Sequence, residues 1–458
     1  MAKVVVIGGG NSGVAAAVGA RKAGAEVTLL ERNDLLMGLG RVSGSMGIGG
    51  RFAQEGEIKE MGAGEINEAL ESIMLPTMEK YTESHLAFHA HPEAQEMVRK
   101  GWLYNCRLVE PTMKRLLKKM GVQVRVSSRA VDVAKENNHI TKVKLDGGEW
   151  VEGDAFVECT GAFGGQSNCI KTEGRCVMCP MYRCPTYGDR VSISGKAGVP
   201  GINYYMPDGT PGLASCGLIL YKETLSPELQ AELAETSLIF VKYRGFTDWE
   251  VDRAYMFGSA AVVGVDPKTG KNLDKKAAWR TPADHGAFMI RDMGIYAGGY
   301  GPSPIPIEKL REVPGLENAE IAWPLGGKSQ YRAGYDIAFC DNSLKVPELD
   351  NLFCAGEKTT ISEIQSGICT GIHAGNNAVR AAIGKEPVVL PRTIITGDYI
   401  AYTREAFQEK PLPRRGGPHA GPYLTRLMET GLFTHDEDKS RQRVKEAGLS
   451  GLYAQKLV

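Results

Sequence analysis

The chain has 458 residues, enough for two to three domains at roughly 150 residues each. Lys plus Arg and Asp plus Glu number 54 each, so the formal net charge is zero; that excludes a globally basic nucleic-acid binder and leaves only a local basic patch open. Hydrophobic residues at 43% and charged ones at 24% describe a globular protein, and no apolar run approaches the ~18 residues of a bilayer span. The excess lies in glycine, 56 residues without a collagen period or low-complexity tract, which points to tight turns and close backbone approach.

The N-terminus, MAKVVVIGGG, passes from one lysine into a strand-like run without the apolar segment of a secretory signal, so a cytoplasmic protein is expected. Lys3 to Ile7 predicts a strand, Val14 to Ala23 an Ala-rich helix, and Glu26 to Leu30 a second strand that ends at Glu31. Between them Gly8, Gly10 and Gly13 form G-x-G-x-x-G, and Glu31 follows 18 positions after Gly13. In such a unit the first glycine permits the turn, the second admits a pyrophosphate, the third seats helix on sheet, and the helix N-terminus favours the anion. Glu31, with Arg32 beside it, is placed to meet ribose hydroxyls.

Residues 51–104 read as helical, with Glu65 to Met74 and Pro92 to Lys100 as the clearest runs. His85, His89 and His91 stand at a spacing that chelates zinc, but Glu83 and Pro92 flank them without an apolar shell, and a solvated helix end is the better reading. Pro111 to Met120 predicts a helix, Gln123 to Ser127 a strand, Asp132 to Val143 a hairpin, and Asp154 to Cys159 a last strand ending at Thr160-Gly161. Near the other end, Leu352-Phe-Cys-Ala-Gly356-Glu357 is again a strand that stops at Gly plus an acid, followed by a Gly- and Ala-rich helix over Gly367 to Ile383.

These three segments, in order, resemble the signatures of two-dinucleotide-binding-domain flavoproteins. The resemblance implies FAD, with Val131 meeting the adenine through its backbone, Thr160 and Gly161 beside the cofactor, and Gly356 and Glu357 toward the ribityl or pyrophosphate. The fold class expected is α/β: a Rossmann-like, doubly wound FAD-binding domain, discontinuous over 1–50, 105–165 and 320–395. A helical cap (51–104), an inserted substrate domain (166–319) and a C-terminal extension (396–458) complete it. The main functional expectation is an oxidoreductase moving a hydride or electrons between flavin and a small substrate or redox partner, NAD(P)H among the electron sources. No membrane is involved, and the oligomeric state, a homodimer included, is open.

A narrower resemblance runs from Asp350 through Pro391. It is similar to the C-terminal FAD segment of the glucose-inhibited division protein A family and of the folate/FAD-dependent tRNA uracil-5-methyltransferases. That likeness implies folate as a one-carbon source and RNA uridine as substrate. Arg183 to Arg190, with Cys184-Pro185, echoes the loop carrying the second functional cysteine of these families, and Gly44 to Gly50, with Gly49, echoes their loop beside the flavin. Ser43 and Ser45 stand where the flavin-side cysteine would be.

Four of the ten cysteines fall within one stretch: Cys169, Cys176, Cys179 and Cys184. Together they could ligate zinc or an iron–sulfur cluster, in an electron-transfer subunit or otherwise. Cys179 and Cys184 could instead act as catalytic thiols, with Arg175 and Arg183 favouring thiolate, or all four could be idle loop thiols. Cys106, Cys159, Cys216, Cys340, Cys354 and Cys369 read as core residues, His285 and His373 as single packed histidines. Gly326-Gly327-Lys328 with Tyr331 and Arg332 could hold an anionic substrate.

Overall fold

The protein is described from a computed structural model, which describes residues 1–38, 54–74, 102–161, 191–201, 215–236, 238–242, 287–291, 295–300, 314–328, 337–361, 364–408, 429–434 and 436–458, with a few single residues and pairs between. In chain order the elements that matter here are β1 (Lys3–Ile7), α1 (Asn11–Lys22), β2 (Glu26–Leu30), α2 (Gln54–Glu60), α3 (Glu65–Glu71), α4 (Cys106–Lys119) and β3 (Gln123–Arg125). Next come β4 (Ala130–Glu136), β5 (His139–Leu145), β6 (Trp150–Glu152), β7 (Ala155–Glu158) and the short α5 (Ile193–Lys196). The later part contributes β8 (Ser215–Leu220), β9 (Leu238–Lys242), β10 (Ala287–Arg291), β11 (Ile295–Tyr300), β12 (Ile321–Lys328) and β13 (Leu352–Cys354). A 3-10 turn (Gly356–Thr359) leads to α6 (Ile364–Ala382), α7 (Ile395–Gln408) and α8 (Glu437–Glu446).

Five strands form the central parallel sheet in the order β13-β7-β1-β2-β3. Val4 pairs with Val27 on one side and Ala155 on the other, and Phe353 pairs with Val157. Because successive side chains point to opposite faces, β1 feeds two cores. Val4 and Val6 pack with α1 and α6 residues such as Val14, Ala17, Ile368 and Ile372. Val5 and Ile7 pack with Phe156, Ile140, Val143 and Cys354 on the other face, where β4, β5 and β6 form an antiparallel meander. Helices and meander on opposite faces of a parallel sheet make the Rossmann-like α/β fold. Further on, β8 pairs with β11 and β12, and β9 with β10, all antiparallel.

Several boundaries differ from the sequence reading for identifiable reasons. The helix expected from Pro111 begins at Cys106 and carries Pro111 inside it. Its buried stripe, Val109, Met113 and Leu117, starts before the proline, and burying that face outweighs one missing backbone hydrogen bond. The Gly- and Ala-rich helix α6 packs its small residues Gly371 and Gly375 directly against the backbone of α1. A Cβ at Gly371 would fall 2.3 Å from the Ser12 carbonyl oxygen, and one at Gly375 2.1 Å from that of Ala16. The run Pro92 to Lys100 and the histidines 85, 89 and 91 lie outside the described residues, as does His285. The chain end packs back onto the first unit, with Leu457 N–H donating to the Ala23 carbonyl and Tyr453 N–H to that of Met61. Among the described residues no helix is long and apolar enough to cross a membrane.

Candidate functional site

The C-terminal ends of β1, β7 and β13 open onto one cleft, the place where open parallel sheets bind ligands. Its lining gathers residues from all three motifs: Gly8, Gly10, Glu31 and Arg32, then Thr160 and Gly161, then Gly356 and Glu357. Gly13 and Val131 are not in the lining. Gly13 seats the helix, since a Cβ there would lie 1.7 Å from the Gly8 carbonyl oxygen. Val131 is the extra residue where β4 pairs Ala130 with Leu145 and Asp132 with Lys144, a bulge that interrupts the ladder; its neighbours Ser128, Arg129 and Ala130 line the cleft.

The loop fits a dinucleotide pyrophosphate on two observations. A Cβ at Gly10 would meet nothing within 4 Å, so the space beside this backbone is open although the glycines on either side of it in the motif are tightly packed. Gly10 is the N-cap of α1 and supplies no side-chain cap, and the first turn contains no acidic residue, which suits the helix N-terminus to an anion. The side-chain oxygen of Asn11, in the cleft lining, is buried and has no hydrogen-bond partner; as an acceptor it suits a donor such as a ribose or ribityl hydroxyl rather than the pyrophosphate itself.

Glu31 ties the loop to β2. Its carboxylate accepts from Gly9 N–H at 2.7 Å and from Asn33 N–H at 2.8 Å while the residue stays 6% exposed. Each oxygen keeps a further lone pair for a hydroxyl, so Glu31 both shapes the loop and faces the cleft. Cys159 also lines the cleft; burial pushes its thiol up to about 12, against a hydrogen bond with Ser12, so it stays neutral.

Under the cleft lies a charged pair that sequence reasoning missed. Glu158, at the end of β7, and Lys358, in the 3-10 turn after β13, are both fully buried, with Nζ 3.3 Å from Oε1. Glu158 also accepts from Ile193 N–H and Ser194 N–H at 2.9 Å each and from the Thr160 hydroxyl at 3.0 Å. The Lys358 ammonium donates to Ser192 Oγ at 3.0 Å. A single acid inside the otherwise apolar run Ala155-Phe-Val-Glu-Cys, which needs a buried partner, was the available signal. Asn11, Ser12, Met37, Ile361, Ile364 and Gly367 also line the cleft; their types carry no distinctive signal.

Gly49 and the group Cys169, Cys176, Cys179 and Cys184 lie outside the described residues, as do Tyr331 and Arg332. Among the described residues no cluster of three or more His, Cys, Asp or Glu could hold a metal. Cys159, Cys340, Cys354 and Cys369 are buried free thiols. His373 is buried on α6, with its ring nitrogens 3.0 Å from the Tyr453 hydroxyl and 3.2 Å from the Asn377 amide; burial lowers it to about 4, so it is a neutral packed residue.

Comparison with known proteins agrees with this geometry. A model of FAD dependent oxidoreductases matches residues 3–162, and a model of glucose inhibited division protein A matches residues 302–386. The tRNA uridine 5-carboxymethylaminomethyl modification enzyme MnmG of Clostridium botulinum (strain Loch Maree / Type A3) is 23% identical over 432 residues, covering 85% of this chain and 64% of that protein. The methylenetetrahydrofolate–tRNA-(uracil-5-)-methyltransferase TrmFO of Lysinibacillus sphaericus is 28% identical over 202 residues, covering 39% of this chain and 44% of that one. The chain thus spans less than two thirds of the length of either relative. GidA of Aquifex aeolicus, in its form II crystal, shares the fold with a TM-score of 0.59 at 18% identity, over 97% of this chain and 76% of that chain. The chain thus matches FAD dependent oxidoreductases over residues 3–162, has their Rossmann-like fold, and resembles the glucose-inhibited division protein A and folate/FAD-dependent tRNA uracil methyltransferase group.

Proposed function

We propose that the chain is an FAD-dependent enzyme that modifies uridine in RNA, using a folate-borne one-carbon unit and NAD(P)H as the source of electrons. The observation that carries this reading is the match to glucose inhibited division protein A over residues 302–386, because that segment includes Gly356 and Glu357 of the cleft itself. The printed names of the relatives, uridine modification and uracil-5 methylation of tRNA, supply the substrate class. When bound, FAD supplies reversible transfer of an electron pair at its ring system.

The residues of this chain then divide the work. The α1 N-terminus, reached through Gly8, Gly10 and Gly13, holds the pyrophosphate. Glu31 and Arg32 receive the adenosine ribose, and the backbone at Val131 the adenine. Thr160, Gly161, Gly356 and Glu357 face the remaining half, with Gly49 beside the ring. Cys184, in its Cys-Pro loop, is the thiol assigned to the uridine, with Cys179 as its neighbour. The comparisons lend no support to zinc or an iron–sulfur cluster, so Cys169, Cys176, Cys179 and Cys184 are assigned as thiols. Residues 166–319 would supply substrate contacts as an inserted domain on the discontinuous FAD domain, with 51–104 as its cap and 396–458 as its C-terminal extension. Action in the cytoplasm, as a homodimer, completes the reading.

A second reading is favoured by Ser43 and Ser45 in place of a flavin-side cysteine, and by the zero net charge: an oxidoreductase acting on a small molecule or electron carrier. One experiment separates them. FAD-loaded enzyme is mixed anaerobically with NADPH, methylenetetrahydrofolate and an unmodified tRNA transcript, and the nucleosides are weighed by mass spectrometry. A folate-dependent one-carbon gain on uridine is expected. Unchanged nucleosides, with reduced flavin consumed by a quinone or small disulfide, would establish the second reading.

A further inference from the structure

We propose that the buried Glu158–Lys358 pair is a positioning device for FAD, fixing Thr160-Gly161 against Gly356-Glu357 and acting on the half of the cofactor that does not meet the first β-α-β unit. The sheet order places the two halves. Glu31 follows β2, on one side of β1, whereas β7 and β13 lie on the other. A dinucleotide with its pyrophosphate over α1 and its adenosine toward Glu31 must therefore extend its other half over the ends of β7 and β13.

Those two ends are joined by more than their ladder. β13 and β7 pair only over Leu352–Phe156, Phe353–Val157 and Cys354–Glu158, and both chains then leave the sheet toward the cleft. Gly356 turns with φ +63°, so close to α1 that a Cβ would stand 2.7 Å from Ser12 Oγ. Two residues beyond that turn, Lys358 reaches back under it to Glu158, and Glu158 holds Thr160 through its hydroxyl. The same carboxylate gathers Ile193 and Ser194 N–H, while Ser192 Oγ receives Lys358. Neither charged side chain reaches solvent, and neither lines the cleft. The pair acts on the cofactor only through the segments it ties, and a desolvated pair of this kind is costly to keep unless its geometry is used.

The test uses full-length apoprotein titrated with FAD and, separately, with ADP, which needs only the first unit. The double variant Glu158→Gln with Lys358→Met removes both charges together, so no lone buried charge remains. FAD should bind about tenfold more weakly, equivalent to about 1.4 kcal/mol, while ADP affinity stays as in the unaltered protein. If FAD and ADP weaken together, or neither weakens, the pair is merely structural and the proposal fails. Should the double variant not fold, Ser192→Ala removes one acceptor of Lys358 outside the cleft. It must give the same split, smaller in size, and an equal response of the two ligands overturns the proposal.

Discussion

Among the described residues two glutamates are completely withdrawn from water, and the protein treats them differently. Glu158, beneath the cleft, faces a lysine, two backbone N–H groups and a hydroxyl. Glu57, on α2, sits under the first turn of α7 and accepts from Ile395 N–H at 2.5 Å, Thr396 N–H at 3.0 Å and the Thr396 hydroxyl at 2.7 Å. No cation touches it among the described residues; Arg443 acts on it only at a distance. Burial therefore raises Glu57 to about 7 despite those hydrogen bonds. The difference teaches that three hydrogen bonds at a helix N-terminus do not offset the burial of Glu57, whereas the buried carboxylate under the cleft is given a lysine partner.

The largest effect should come from breaking the compensated site. Lys358→Met leaves Glu158 buried without its cation and should cost about 3–5 kcal/mol of apoprotein stability. Adding Glu158→Gln should return most of that loss, read as recovery of the denaturation midpoint. A double variant no more stable than the single one would mean that the lysine contributes packing rather than charge compensation.

The uncompensated site should report through pH. Glu57 is raised from 4.5 to about 7 in the folded protein, so the folded state binds the extra proton. Its contribution is present below pH 4.5 and lost as pH rises through 7, on the order of 3 kcal/mol. His373 is lowered from 6.5 to about 4 by burial, so its contribution is present above pH 6.5 and lost as pH falls through 4. Between pH 4.5 and 6.5 the two slopes oppose. His373→Gln should unmask a stability that declines from pH 4.5 to 7, and Glu57→Gln one that climbs from pH 4 to 6.5. Unchanged pH profiles in both variants would contradict this assignment.

The sequence made the cleft legible because its chemistry is local. Gly8 to Gly13 with Glu31, Thr160-Gly161 and Gly356-Glu357 are each contiguous, and each follows a strand whose β-branched or aromatic run is plain. Glu158–Lys358 and Glu57–Thr396 were not legible, since each joins residues 200 or more apart in sequence and exists only once the sheet and helices have closed. The extent of α4 was hidden for another reason: Pro111 is a local stop signal that the buried stripe Val109, Met113 and Leu117 overrides.

The smallest effect belongs to a carboxylate that resembles Glu158 in being buried beside a cation but differs in that its cations reach the surface. Asp398 on α7 is opposed by burial yet lowered by Arg426 and Arg392, and the Arg392 side chain is 42% exposed. Arg392→Ala should therefore cost under about 1 kcal/mol, because Arg426 remains 2.7 Å from Asp398. A loss comparable to that of Lys358→Met would erase the distinction between buried and surface compensation.

Gly10 tests most directly whether the cleft is the FAD site. Its backbone has φ −75° and a Cβ would meet nothing within 4 Å, so Gly10→Val alters the space beside the loop without opposing the fold. Titration of the two apoproteins with FAD, followed by flavin fluorescence, is the decisive measurement. The unaltered protein should bind FAD tightly, and the Gly10→Val protein, folded with the same circular dichroism, should bind it at least about a hundredfold more weakly, the loss of some 3 kcal/mol at the pyrophosphate. Equal FAD affinity in the two folded proteins would contradict the account.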